Sequence, residues 1–351
     1  MSGGPELIVT RDGALGRLTL NRPEALGALT TGMCEAMIAA LLDWRGDDAV
    51  EAVLIDHAGE RGFCAGGDIR TLAESGASDG VAALRFFHTE YRLDHLISVY
   101  PKPVVTVMDG VVMGGGVGVS LPARYRIATE RTRFAMPETG IGLFPDVGAG
   151  WFLPQLHGRT GLWLALTGAR LSALDCEFLG LATDIVPSAG LAELKTELAR
   201  EPGAIERILT QFEADSSRPP IGPHRDEIDR LFAGDSLEAV VSALEADGSD
   251  WARAQLQAMA PKSPLSAKVA FRLIAGGLAP KSLADDLRTE YRVAARLVMR
   301  PDFREGVRAV IVDKDNAPAW RPANLAEVSE ALVDEIFAPL PPEQEWTPLG
   351  E

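Results

Sequence analysis

Two glycine-rich turns and two carboxylates are the residues of this 351-residue chain whose types and spacing could do chemistry. The first turn, Phe63-Cys64-Ala65-Gly66-Gly67-Asp68, follows a strand-like segment and a short loop. The second, Met113-Gly114-Gly115-Gly116, follows the Val-rich run Pro103–Asp109 and opens a short helical segment near Val117–Leu121. Glycine leaves backbone N–H groups accessible, and a helix start adds a favourable dipole. Two such N–H groups aimed at one point make an oxyanion hole. Tight packing of a helix on a strand would also select glycine, so either turn alone leaves both readings open. Downstream, the Gly/Pro-rich run from Phe134 to Gly150 carries Glu138 and Asp146, each directly after a proline. A carboxylate there could serve as general base or nucleophile. The plainer alternatives are a helix-start charge for Glu138 and a turn or N-cap for Asp146.

Other reaction classes lack their residues. There is no Gly-x-Ser-x-Gly nucleophile elbow, no Gly-Lys-Ser/Thr phosphate loop and no His-Glu-x-x-His zinc motif. The run Gly114-Gly115-Gly116-Val117-Gly118-Val119 misses the dinucleotide fingerprint, because Val119 stands where the third glycine belongs. The five histidines are dispersed and the three cysteines have no zinc spacing, so no metal site is expected. A formal charge of -16, with no cluster of Lys and Arg, argues against nucleic acid as a partner. It also means that any polyanionic ligand must be met by local positive groups. Apolar stretches are broken by Gly, Pro or charge well short of a membrane span. Met1-Ser-Gly-Gly-Pro-Glu6 shows no basic region followed by an apolar run, and the odd cysteine count suits a reducing compartment. A cytoplasmic protein is the expectation.

The elements that must position these residues alternate in type. Leu7–Thr10 and Leu15–Leu20 flank Arg-Asp-Gly, a hairpin signal, and Thr31 to Trp44 has helical periodicity. Ala52–His57, Pro103–Asp109, Tyr125–Thr129, Phe134–Met136 and Leu181–Val186 read as strands, with helices over residues 158–180. Repeated strand-then-helix units predict an α/β fold with parallel sheets and helical cover. From about Arg200 the chain reads as helices, at Leu237–Glu245, Leu265–Ile274, Leu283–Arg300 and Phe303–Val312. A linker is expected at Ser216–Pro220, a turn at Ala260–Pro264 and a frayed tail over Pro339–Glu351. The division is therefore 1–200 as a catalytic core and 201–351 as a helical region completing it.

Read together, the turns and the loop resemble the enoyl-CoA hydratase (crotonase) superfamily, whose members bind acyl-CoA and stabilise an oxyanion with two backbone amides. The similarity runs from Leu18-Thr19-Leu20-Asn21-Arg22-Pro23 through both turns to Gly150. Within it, the 3-hydroxyisobutyryl-CoA hydrolase group is most similar, at Met113–Ser120, Phe134–Thr139 and Ile141–Gly148, and again at Thr289–Arg292, Asp302–Ala309 and Asp313–Asp315. The resemblance implies a ββα spiral core with a helical C-terminal region. It places the oxyanion amides at Gly67 and Gly115, with Gly66 and Gly114 beside them, and Ala65, Asp68 and Ile69 along the CoA adenine. Glu90 aligns with a substrate-contacting Glu, although a lone helical Glu is usually just solvated. Lys314 is a candidate partner for a CoA phosphate, equally explained as an exposed lysine. Gly27, where the superfamily often has Asn, is a departure on the CoA side.

Position 118 decides the chemistry implied. Hydratases of the superfamily carry a carboxylate there and a second at the place of Glu138, and the two activate a water. Here Gly118 withdraws the first, while Asp146 stands where hydratases tend to have glycine. That exchange suits thioester hydrolysis of 3-hydroxyisobutyryl-CoA, a step of valine breakdown, with CoA as part of the substrate and no cofactor. The alternatives are a hydratase or isomerase acting on a short-chain acyl-CoA, and an acyl-CoA-binding protein without catalysis. Superfamily relatives often form trimers, so a homo-oligomer fits the resemblance, with the helical C-terminal part able to alter that interface.

Overall fold

The computed structural model describes residues 4–212, 214, 218–278 and 280–350. Its nine strands among these residues are β1 (Leu7–Asp12), β2 (Leu15–Leu20), β3 (Ala52–His57), β4 (Gly62–Cys64), β5 (Val104–Met108), β6 (Val111–Met113), β7 (Tyr125–Ala128), β8 (Arg133–Ala135) and β9 (Asp184–Ile185). They form a six-stranded sheet in the order β1-β2-β3-β5-β7-β9 and a three-stranded sheet in the order β4-β6-β8. Among the pairs these strands make with one another, only β1–β2 is antiparallel. A parallel pair requires a long crossover. Helix α1 (Thr31–Arg45) supplies one between β2 and β3, while α2 (Ile69–Gly76) and α3 (Val81–Ser98) supply the next. The Thr30 hydroxyl accepts the Met33 N–H and the Asp68 carboxylate accepts the Thr71 N–H, so α1 and α2 start where a capping side chain can satisfy their first amides.

Alternation along the large sheet sorts side chains into two cores. Val53 and Ile55 of β3 face the main core, whereas Ala52 and Leu54 face a second one closed by the helices Leu191–Arg200 and Ile205–Phe212. β3 and β5 are therefore buried throughout, as their continuous apolar runs demand. No break in packing coincides with Arg200: the second core crosses it, and the main core reaches from Leu7 to Trp346.

The tail departs from expectation. Trp346 is fully buried and donates its indole N–H to the His88 carbonyl at 3.2 Å, Glu345 pairs with Arg292 at 2.9 Å, and Arg92 donates to the Thr347 carbonyl. Proline richness suggested fraying, yet one large aromatic ring pins the segment. The expected helix Leu283–Arg300 ends at Leu297, and Phe303–Val312 splits into an α-helix over Pro301–Val307 and a π-turn over Arg308–Val312. Of the expected linker, Ser216 and Ser217 lie outside the described residues.

Candidate active site

The small sheet sets the site. β4, β6 and β8 run parallel side by side, and each ends in one of the segments singled out above. The first turn leaves β4, the second leaves β6, and Pro137-Glu138 leaves β8. Three functional segments thus emerge at the carboxyl ends of adjacent strands, where parallel sheets generally build their sites. The turns touch: a side chain on Gly114 would begin 3.1 Å from the Gly66 Cα and 3.6 Å from Glu138 Oε1. Gly66 has φ +110°, which a side chain would not tolerate, and lies against the Gly115 nitrogen. Gly115 is the first residue of the short helix α4 (Gly115–Gly118), so its N–H has no partner inside the helix. Among the described residues neither the Gly67 nor the Gly115 amide donates to another group of the chain. Both remain available to a ligand.

These segments line a cavity of ≈ 450 Å³. Ala65, Gly66, Gly67, Ile69, Gly114 and Gly115 form one side, and Glu90, Glu138 and Asp146 supply its acidic groups. Asp68 and Lys314 are not among the lining residues. Asp68 caps α2 and pairs with Arg22 at 2.9 Å, and Lys314 is exposed in a segment whose neighbours Asp313 and Asp315 hold Arg308. Glu138 heads a 3-10 turn that the C-terminal half grips. Ser263 N–H donates to the Thr139 carbonyl at 2.9 Å, and Gly142 and Gly306 have no room for a side chain where the Pro301–Val307 helix crosses the turn. Asp146 Oδ2 accepts the Tyr91 hydroxyl at 2.8 Å.

Residues 15–337 match the enoyl-CoA hydratase/isomerase family. The chain belongs to this family, the crotonase family. It is 44% identical to the mitochondrial 3-hydroxyisobutyryl-CoA hydrolase of Danio rerio, over 96% of this chain and 90% of that protein. It is 40% identical to the protein of the same name from Homo sapiens, over 95% and 89%. Two similar crystal structures carry other names. A carnitinyl-CoA dehydratase from Mycobacterium thermoresistibile superposes with a TM-score of 0.94 at 40% identity, over 99% of this chain and 100% of that one. An enoyl-CoA hydratase from Rhodobacter sphaeroides gives 0.90 at 39%, over 98% and 100%. The fold is the mixed α/β crotonase fold with a helical C-terminal region, and the protein is an acyl-CoA enzyme of that family.

Within this crotonase site the space beside Gly118 is filled from elsewhere. A side chain at Gly118 would begin 2.7 Å from Asp94 Oδ2 and 2.8 Å from Oδ1. One turn earlier on α3, Glu90 presses on the second glycine turn, with Oε1 2.2 Å from the position of a Gly115 side chain. Both carboxyls are buried, and burial first raises both well above the usual carboxylate range, followed by the charge of Asp94 for Glu90 and the charge of Asp146 for Asp94. Burial, then the charge of Asp146, also raises Glu138 well above that range, while Lys262 pulls in the opposite direction. Asp146 is pushed up to about 6 by burial, against the Tyr91 hydrogen bond that favours its charged form. Lys262, itself lowered by burial, lines the cavity together with Arg170. Among the described lining residues these two are the cationic groups. Cys64, within the first turn, is fully buried, and burial pushes its thiol up to about 12, which disfavours the thiolate a nucleophile needs.

Sequence reading missed Asp94, Tyr91, Lys262 and Arg170. Asp94 had a signal, since it stands four residues after Glu90 and so on the same helical face. Tyr91 adjoins Glu90 but gives no hint of contact with a residue 55 positions away. Lys262 and Arg170 carry no motif at all.

Proposed function

We propose that this protein hydrolyses 3-hydroxyisobutyryl-CoA to 3-hydroxyisobutyrate and CoA. The observation that carries the reading is the distribution of carboxyls. Glu138 and Asp146 share a cavity with two unpaired glycine amides, while the residue at 118 has no carboxylate and its space is taken by Asp94. The thioester carbonyl would lie with its oxygen on the Gly67 and Gly115 N–H groups, which stabilise the negative charge that develops on addition. Glu138 then either takes a proton from the attacking water or attacks first, forming a mixed anhydride that water cleaves. In both routes the C–S bond breaks, the electron pair leaves with sulfur, and a proton reaches the thiolate. Asp146 orients the substrate 3-hydroxyl or relays that proton. Lys262 and Arg170 offer cationic contacts to the CoA phosphates. The names of the similar vertebrate proteins support this substrate.

The names of the two similar crystal structures favour a second reading, water addition to or loss from an acyl-CoA. Following free thiol with 3-hydroxyisobutyryl-CoA, and loss of the conjugated double bond with crotonyl-CoA, separates the two. Rapid CoA release from the first with negligible change in the second is expected. Hydration of crotonyl-CoA without CoA release from the hydroxyacyl thioester would overturn the proposal.

A further inference from the structure

Immediately after Asp146 the backbone is strained. Val147 has φ +56°, in the left-handed region where a β-branched residue is a genuine outlier, and Gly148 follows at φ +92°. Such strain persists only where the surroundings over-determine it. The restraint comes from the other half of the chain. On the helix Leu283–Leu297, Glu290 accepts the Gly148 N–H on Oε2 at 2.8 Å and the Gly150 N–H on Oε1 at 3.1 Å. Glu290 is fully buried, so losing either bond would leave an unsatisfied group without water to replace it. Asp286, one turn earlier and also buried, closes the far side: a side chain at Gly150 would begin 2.2 Å from its Oδ1. From the cavity side, the Tyr91 hydroxyl holds Asp146 itself at 2.8 Å.

We infer that Glu290 is a positioning residue for Asp146: its two hydrogen bonds clamp the turn that follows, hold Val147 left-handed, and thereby aim the Asp146 carboxyl into the cavity. The inference rests on the reading that Asp146 acts on the bound thioester. Neither Glu290 nor Asp286 lines the cavity, so Glu290 acts through the turn and not by touching substrate. A merely structural clamp would lower stability equally whether or not Asp146 is present, and would have no preference for the chemical step.

The test is a double-mutant cycle on thioester hydrolysis with Glu290→Gln, Asp146→Asn and both together. Glutamine offers one acceptor oxygen, and its NH2 would confront the second glycine amide. A reacting group misplaced by about 1 Å can cost on the order of 10²-fold in rate. The expected result is therefore a loss of that size in kcat for Glu290→Gln with KM little changed, and almost no further loss when it is added to Asp146→Asn. Wild-type kcat in Glu290→Gln, or a full multiplicative loss in the double variant, overturns the inference. Wild-type kcat in Asp146→Asn alone overturns the functional reading of Asp146 instead, so the two failures are told apart. Should Glu290→Gln not fold, Glu290→Asp keeps both carboxyl oxygens but withdraws them by one methylene, and the same cycle is read with it.

Discussion

Four carboxyls, Glu90, Asp94, Glu138 and Asp146, are buried in and behind one cavity, and burial raises the pKa of each. For Asp146 the sign of the effect on stability can be worked out. Its folded value, about 6, lies above the ordinary 3.8, so between these pH values the native state binds more protons than the unfolded one. Stability attributable to this group is then greatest below pH 3.8 and falls as pH rises through about 6. The gap corresponds to a cost on the order of 3 kcal/mol for holding the charged form at neutral pH. Asp146→Asn should accordingly raise the melting temperature at pH 8 clearly more than at pH 4, while lowering activity, a site built at the expense of stability. Equal shifts at both pH values would contradict a raised Asp146. Both proposed routes run through Glu138, so on that proposal Glu138→Gln should reduce thiol release roughly 10²–10⁴-fold. Retained CoA binding in that variant, measured by calorimetry, would show that the pocket survives.

Among elements, the three strands of the small sheet bring together turns separated by some fifty residues, and helix α3 backs them with two carboxyls one turn apart. Asp94 makes the glycine at 118 obligatory. Gly118→Ala should destabilise by about 1–3 kcal/mol, the usual cost of overpacking a dense core. Because the clash is with one side chain, Asp94→Ala in the same chain should recover much of that loss, read by chemical denaturation. Additive losses would instead place the damage in the α4 backbone. The contrast explains what was legible from residues alone. Glycine runs and apolar runs of strand length are local patterns, so the turns and most strands could be read directly, whereas Glu138 and Asp146 stood out from a helix-start charge and a turn residue only through the family resemblance. Asp94 against Gly118, Tyr91 on Asp146 and Glu290 on Gly148 join distant segments, the last across 142 residues, and no local rule connects them. The Pro301–Val312 segment shows the same limit at the backbone. Its periodicity reads as one helix, yet the chain widens to a π-turn at Arg308, and Val310 and Ile311 of that turn become cavity wall.

At the scale of the whole molecule, the two halves serve one site. The first supplies the two glycine turns and the carboxyls, and the second supplies Lys262, the Val310–Ile311 wall and the Glu290 clamp. The final segment then returns to the back of α3. Trp346 is seated there without solvent exposure, its indole bound to the carbonyl of His88, two residues before Glu90. Truncating a buried Trp to alanine typically costs about 3–5 kcal/mol. Trp346→Ala should lose stability of that order in chemical denaturation, although it lies five residues from the end of the chain. The loss should reach the site as well, because α3 carries Glu90, Tyr91 and Asp94 on the turns that follow His88. A raised KM for acyl-CoA is expected from a loosened Glu90, and a lower kcat from a loosened Tyr91–Asp146 bond. Unchanged stability would mean that the tail merely rests on the surface. Lost stability with unchanged kinetics would mean that α3 is held firmly enough by its packing on α1, α2 and the helix Leu283–Leu297 to keep the site in place without the C-terminal segment.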